Sequence, residues 1–104
     1  MKLLVVTSLK EYQKAVAKIM DQSGIEVFSV TETIGFKGDS TANLLDNWFG
    51  SGREKFDSIF LFSFTEETKA EKALELIARY NEEHHTGFPV RAFIVSVDKA
   101  VISK

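Results

Sequence analysis

Cysteine is absent from this sequence of 104 residues, which excludes disulfide scaffolds, thiolate metal sites and cysteine nucleophiles. Neither sign of charge dominates, since 13 Lys and Arg stand against 15 Asp and Glu. A domain that neutralises nucleic-acid phosphates needs an excess of positive charge, so we expect no nucleic-acid partner. No apolar run exceeds four residues, whereas a membrane-spanning helix needs about 20. We therefore expect a cytoplasmic protein with one domain over residues 1–104 and no insertion into a membrane.

Apolar periodicity predicts the element order strand, helix, strand, strand, helix, strand. Two segments, residues 9–23 and a stretch that begins after residue 65, place apolar side chains three and four residues apart, as amphipathic helices do. Four segments are rich in β-branched and aromatic residues, as strands are: residues 2–7, 25–33, 58–64 and 90–97. This order matches a ferredoxin-like α+β sandwich, a βαββαβ fold in which two helices pack on one face of an antiparallel four-stranded sheet.

Three local signals refine the ends of these elements. Ser8 and Glu11 match a capping box, in which a hydroxyl and a carboxylate three residues apart accept hydrogen bonds from free amides at a helix start. Gly24 can end the same helix in a left-handed conformation. Pro89, the only proline in the chain, lies at the entry of the last strand rather than inside it.

A long polar loop is predicted between the second and third strands, over residues 38–56. Loops of this length inside a compact domain usually carry function. Trp48 and Phe49 lie in it together with Arg53, and large rigid aromatic side chains are effective anchors for a partner protein. We therefore predict partner binding at these three residues, with folding back of the two aromatic side chains onto the core as the alternative.

Both faces of the predicted sheet are apolar. In the third strand Phe60, Phe62 and Phe64 alternate with Ile59 and Leu61, so each set lies on its own face. Three exposed phenylalanines would form a larger apolar patch than soluble monomers usually carry. We predict that these phenylalanines form the interface of a homo-oligomer, and the alternative is a strand that is apolar because it lies at the centre of one sheet.

Residues 27–38, Val-Phe-Ser-Val-Thr-Glu-Thr-Ile-Gly-Phe-Lys-Gly, are similar to the second strand and T-loop entry of PII-like signalling proteins, which are related to nitrogen regulatory protein P-II. Residues 93–102 also resemble the C-terminal pattern of that family, and the resemblance covers most of the chain. It implies a homotrimer that binds adenine nucleotides in clefts between subunits, at the base of the T-loop and at a glycine-rich B-loop. It also implies a regulatory role, exerted through the T-loop on a partner such as a membrane transporter or an enzyme.

Candidate ligand-binding residues lie at the loop base and in the turn before the last strand: Gly35, Lys37, Gly38, Thr86, Gly87 and Arg91. Lys37 can donate to a phosphate or a carboxylate, and the planar guanidinium of Arg91 can bind such a group through two parallel hydrogen bonds. The alternatives are a lone surface lysine and an ion pair of Arg91 with Glu82 or Glu83.

The turn itself departs from the family pattern. Thr86 and Gly87 resemble the beginning of a B-loop, but Phe88, Pro89 and Val90 replace its further glycines. Fewer backbone amides then remain to hold phosphate groups. We predict weak or absent ATP binding, so that the effector is an adenine nucleotide held weakly or another small anion.

Catalytic and metal-binding residues are not predicted. His84 and His85 follow two glutamates, but adjacent side chains rarely point to one ion, and a metal site there is the less favoured alternative. No nucleophile and base form a recognisable pair, so we expect a protein that is not an enzyme. Two other classes with this architecture stay open, a CutA-like trimer associated with divalent metals and a cofactor-free ferredoxin-like oxygenase.

Overall fold

A computed structural model describes residues 1–37 and 54–102 of the chain. A 3-10 turn, Lys10–Tyr12, precedes the first helix. The other elements, in chain order, are β1 (Lys2–Leu9), α1 (Gln13–Gln22), β2 (Ser29–Lys37), β3 (Glu54–Thr65), α2 (Glu67–Glu83) and β4 (Arg91–Ser96). The four strands form one sheet in the order β2-β3-β1-β4, and every neighbouring pair is antiparallel. The predicted ferredoxin-like α+β fold is confirmed.

The hydrophobic core lies between the two helices and one face of the sheet. That face contributes Leu4 and Val6 from β1 and Leu61 from β3, all almost completely buried. The helices contribute the apolar stripes that the sequence predicts: Val16, Ile19 and Met20 from α1, and Ala70, Ala73 and Ile77 from α2. Neither helix among the described residues is long and apolar enough to cross a membrane.

The second face of the sheet carries large apolar side chains that neither α1 nor α2 covers. Phe62 lies opposite Val5 of β1, and Val5 lies opposite Phe93 of β4, so the apolar surface crosses three strands. Phe64 and Phe93 are 57% and 53% exposed, which is unusual for phenylalanine. The alternation predicted for β3 is therefore confirmed, while the role of these residues as an oligomer interface stays a prediction. We call this surface the open face; its apolar members are Leu3, Val5, Phe60, Phe62, Phe64, Phe93 and Val95.

The end of α1 sets the beginning of β2 later than predicted. Gly24 has a φ of 80°, and its N–H donates to the Asp21 carbonyl at 3.0 Å. The N–H of Ile25 donates to the Met20 carbonyl at 3.0 Å, and both of these apolar side chains are buried in the core. This pair of hydrogen bonds closes the helix in a Schellman motif. Ile25 therefore belongs to the helix end and not to the strand, which begins at Ser29.

The predicted capping box at the start of the first helix is wrong. Ser8 is still part of β1, where it lies opposite Ile59. Its hydroxyl donates to the Leu9 carbonyl at 2.9 Å, and Leu9 occupies the N-cap position without a side-chain hydrogen bond. Pairing in the sheet keeps Ser8 extended, so its hydroxyl does not reach the amides of the first helical turn.

The predicted loop over residues 38–56 ends too late, because β3 begins at Glu54. Lys55 and Phe56 are already paired with β2, opposite Phe36 and Gly35. The ladder between β2 and β3 continues beyond the end of β1, and this added pairing explains the early start of the strand. Residues 38–53 lie outside the described part of the chain.

Candidate functional site

A cleft lies where β1 and β2 end and where β3 and β4 begin. These four strand ends meet at one edge because all neighbouring strands are antiparallel. The cleft has a volume of about 370 Å³. It is lined by Thr7, Ser8, Leu9, Gly35, Phe36, Lys37, Phe56, Ser58, Gly87, Phe88, Pro89 and Arg91.

Four of the six candidate ligand-binding residues line this one cleft. Gly35 and Lys37 come from the end of β2, Gly87 from the turn after α2, and Arg91 from the first position of β4. Thr86 is exposed beside the cleft, and its hydroxyl oxygen accepts the Phe88 N–H at 3.0 Å. The binding of a ligand at these residues stays a prediction. The remaining candidate, Gly38, lies outside the described residues, as do the three predicted partner-binding residues Trp48, Phe49 and Arg53.

The turn between α2 and β4 is held by one side chain that the sequence analysis did not single out. The Asn81 amide donates to the Val90 carbonyl at 2.8 Å, and its oxygen accepts the Val90 N–H at 2.9 Å. Asn81 thereby pairs with Val90 as a neighbouring strand would, one residue before Arg91. An asparagine near the C-terminus of a helix is common, so the sequence carried no distinct signal for this role.

An Asn81→Ala variant is expected to lose stability. It leaves the Val90 N–H and carbonyl unpaired, and Val90 is buried, so the free energy of unfolding should fall by about 1–3 kcal/mol. For a domain of this size, that loss lowers the melting temperature by at least about 4 °C. Thermal unfolding followed by circular dichroism measures it, with Asn81→Asp as the partner variant that keeps only the accepting oxygen. Equal melting temperatures for wild type and Asn81→Ala would contradict this role.

Two phenylalanines and one lysine form the aromatic wall of the cleft. The ring centroids of Phe56 and Phe88 lie 4.8 Å apart at an angle of 57°. The Lys37 Nζ lies 5.0 Å from the centroid of the Phe88 ring, within the range of a cation–π contact. In the sequence, Phe88 is visible only as a departure from the family pattern, and Phe56 falls within the predicted loop. We refer to Phe56, Phe88 and Lys37 as the aromatic wall.

Gly35 is required for this arrangement because it lies directly opposite Phe56 in the sheet. The Phe56 ring lies over Gly35, and a Cβ added at that position would overlap three ring atoms. A glycine opposite an aromatic residue in an antiparallel pair gives the ring a place to rest on the backbone. Gly35 therefore matters because it lets the Phe56 ring approach the backbone closely. Its predicted position at the loop base indicated this role only in part.

Among the described residues that line the cleft, Lys37 and Arg91 are cationic and none is Asp or Glu. Among the described residues, the ion pairs are Lys10 with Glu32 and Arg79 with Glu75, each at 2.8 Å. The alternative of an ion pair between Arg91 and Glu82 or Glu83 is therefore wrong. A hydrogen bond from Lys10 to Glu32, together with their charge attraction, raises the pKa of Lys10. Lys10 lines a second pocket beside the cleft, together with Glu11 and Asp57.

His84 and His85 lie just beyond the end of α2, outside the cleft lining. The His84 ring stacks on the Tyr80 ring with centroids 4.1 Å apart, and its Nδ1 lies 2.9 Å from the Tyr80 carbonyl oxygen. Burial raises the pKa of Tyr80. No group of three or more His, Asp or Glu side chains that could hold a metal ion occurs within residues 1–37 and 54–102.

Comparison with known proteins gives relatives by structure alone. No protein-family model matches the chain, and no curated protein sequence matches it. CPII of Thiomonas intermedia K12, a nitrogen regulatory PII-like protein solved with ADP, AMP and bicarbonate, is 15% identical, with a TM-score of 0.61 over 96% of this chain and 94% of that one. GlnK of B. subtilis is 8% identical, with a TM-score of 0.69 over 93% and 84% of the two chains. A PII-like signalling protein of Thermus thermophilus is 20% identical, with a TM-score of 0.54 over 89% and 82%.

These comparisons define the class of fold. The chain has the fold of PII-like nitrogen regulatory proteins along nearly its whole length. The resemblance that residues 27–38 indicated is therefore confirmed at the level of fold. At identities of 8–20%, similarity alone does not assign the ligands of these proteins to this chain, so its function has to be inferred from the residues of the cleft.

Proposed function

We propose that this chain is a cytoplasmic PII-like regulatory protein and not an enzyme. It binds a small anionic effector in the cleft and passes the signal to a partner protein through residues 38–53. The single observation that carries the proposal is the convergence of Lys37 and Arg91 on one cleft. The two cations come from opposite edge strands of the sheet, and both line a cleft in which no described lining residue is Asp or Glu.

The proposed assembly is a homotrimer built on the open face. Its exposed phenylalanines and valines would face water in a monomer, and Phe64, Phe93 and Val95 each expose 45% or more of their surface. Copies of the same chain are the simplest cover for an apolar sheet face, because closed symmetry buries the same patch on every subunit. The PII-like fold supports three copies rather than two.

The position of Lys37 gives a direct route from effector to partner. Lys37 is the last residue of β2, so a ligand bound to its ammonium lies next in sequence to residues 38–53. A ligand shifts the segment only if it binds one arrangement more tightly than another. The relevant difference in this chain is whether Lys37 stays over the Phe88 ring or turns to the ligand.

Lys37→Gln and Arg91→Gln variants are expected to bind anions at least about tenfold more weakly than the wild type, since each removes a charged partner. Bicarbonate, inorganic phosphate and AMP are suitable probes, with binding measured by calorimetry and by the rise in melting temperature. Arg79→Gln is the matched control, because Arg79 is exposed on α2 and paired with Glu75. Unchanged affinity in both cleft variants would contradict the proposed site.

Hydrogen exchange tests the regulatory part of the proposal. Exchange in peptides from residues 38–53 should change when the cleft is occupied, and the change should disappear in Lys37→Gln. Binding of an anion that leaves this exchange unaltered would mean that the cleft binds without signalling.

A further inference from the structure

The aromatic wall places a cation and two flat apolar rings at one point. Lys37 Nζ lies 5.0 Å from the Phe88 centroid, and the Phe56 and Phe88 centroids are 4.8 Å apart. A ligand atom that accepts a hydrogen bond from this ammonium lies about 2.8 Å from Nζ and therefore close to the rings.

The other residues that line the cleft favour a negatively charged ligand. Arg91 is the second cation, and none of the described residues that line the cleft carries a carboxylate. Thr7 adds a hydroxyl, and it lies directly opposite Arg91 in the sheet. The cleft of about 370 Å³ is at the small end of ordinary ligand pockets, which span about 300–1,000 Å³.

We propose that the cleft selects a small planar anion, an aromatic or heteroaromatic ring that carries a carboxylate directly. Its ring packs against Phe56 and Phe88, its carboxylate accepts from Lys37, and Arg91 adds positive potential. This inference rests on the proposed function in placing the effector in the same cleft, and it names the chemical class of that effector.

The geometry disfavours a nucleotide because a ribose separates the base of a nucleotide from its phosphates. If the base of a nucleotide packed against the aromatic wall, its phosphates would lie beyond the reach of the Lys37 ammonium. Lys37 loses little on binding an anion, since a hydrogen bond to a charged group is stronger than an exposed cation–π contact. The Phe88 ring stays available as a surface when the ammonium turns to the carboxylate.

Calorimetry on the full chain with four probes tests this selection. Benzoate carries ring and charge, cyclohexanecarboxylate has the charge without the flat ring, benzamide has the ring without the charge, and bicarbonate is a small anion. We expect benzoate to bind about three- to tenfold more tightly than cyclohexanecarboxylate, the usual gain of an aromatic contact. Benzamide should bind at least about tenfold more weakly than benzoate.

Two variants locate the effect. Phe88→Leu keeps apolar volume and removes the ring, so it should abolish the preference for benzoate over cyclohexanecarboxylate. Lys37→Gln should weaken both carboxylates equally, and Arg79→Gln should weaken neither. Retention of the ring preference in Phe88→Leu would overturn the assignment of the aromatic wall.

Other outcomes separate this inference from the proposed function. Bicarbonate or phosphate binding at Lys37 without measurable benzoate binding would overturn the inference and leave the regulatory site standing. Benzoate binding with the expected preferences, but without any change in hydrogen exchange over residues 38–53, would support the inference and contradict regulation. Absence of binding by every anion would overturn both.

Discussion

A Phe62→Glu variant is expected to convert the proposed homotrimer to monomers. Phe62 lies at the middle of the open face, with ring centroids 6.0 Å from Phe60 and 6.4 Å from Phe64. A carboxylate enclosed there without a partner would cost about 3 kcal/mol or more in each subunit. Phe62 does not contribute to the core beneath the helices, so the fold of each subunit should persist. Light scattering gives the mass, and circular dichroism reports the fold.

Three further variants control this experiment. Phe62→Leu keeps the surface apolar and should stay trimeric, and Gln13→Glu adds the same charge at an exposed position of α1 and should also stay trimeric. Phe93→Glu places the charge on β4, at the other side of the open face, and should dissociate the assembly even if Phe62→Glu fails to fold. A monomeric wild type, or a trimer that tolerates both glutamates, would contradict the proposed interface. A dimeric wild type would favour the oxygenase class instead.

The fold could be predicted from the sequence because its signals are local and redundant. The alternation of Ile59 and Leu61 with the phenylalanines of β3 assigns each residue to a face without any knowledge of pairing. The wrong predictions concern residues whose type suits one element while their backbone hydrogen bonds belong to another. Ile25 has the β-branched side chain of a strand residue, yet its N–H completes the end of α1. Ser8 carries a capping hydroxyl, yet pairing with β3 keeps it in β1.

The candidate site could be predicted only in part because its geometry depends on register. Lys37 and Arg91 are suggested by their charge and by neighbouring glycines, which are visible in the sequence. That Phe56 rests on Gly35 follows from the pairing of β2 with β3, and no local pattern specifies that register across a long connection. Phe88 approaches the same point from a turn whose shape depends on the Asn81 side chain. Because Phe56 and Phe88 meet only through strand register and turn shape, their spacing in the sequence does not predict the contact.

The wild-type chain is expected to bind ATP with a dissociation constant in the millimolar range or weaker. The structure gives a reason in the turn before β4, where backbone amides would have to hold the phosphates. The Phe88 N–H already donates to the Thr86 hydroxyl, the Val90 N–H donates to the Asn81 side chain, and Pro89 has no N–H. Loss of two or three hydrogen bonds to charged phosphates, at about 1.5–3 kcal/mol each, weakens binding by several powers of ten.

A double variant, Phe88→Gly with Pro89→Gly, should move nucleotide and ring-acid binding in opposite directions. It returns an N–H at position 89 and the flexibility of a glycine turn, so ATP affinity should rise by about tenfold or more. It also removes a ring of the aromatic wall, so benzoate should lose its advantage over cyclohexanecarboxylate. General damage to the fold would lower both affinities, so opposite changes in ATP and benzoate binding cannot come from it. The single variant Phe88→Leu is the control, in which ATP affinity should stay low. A low-micromolar dissociation constant for ATP in the wild type would overturn this prediction, and it would mean that residues outside the turn hold the phosphates.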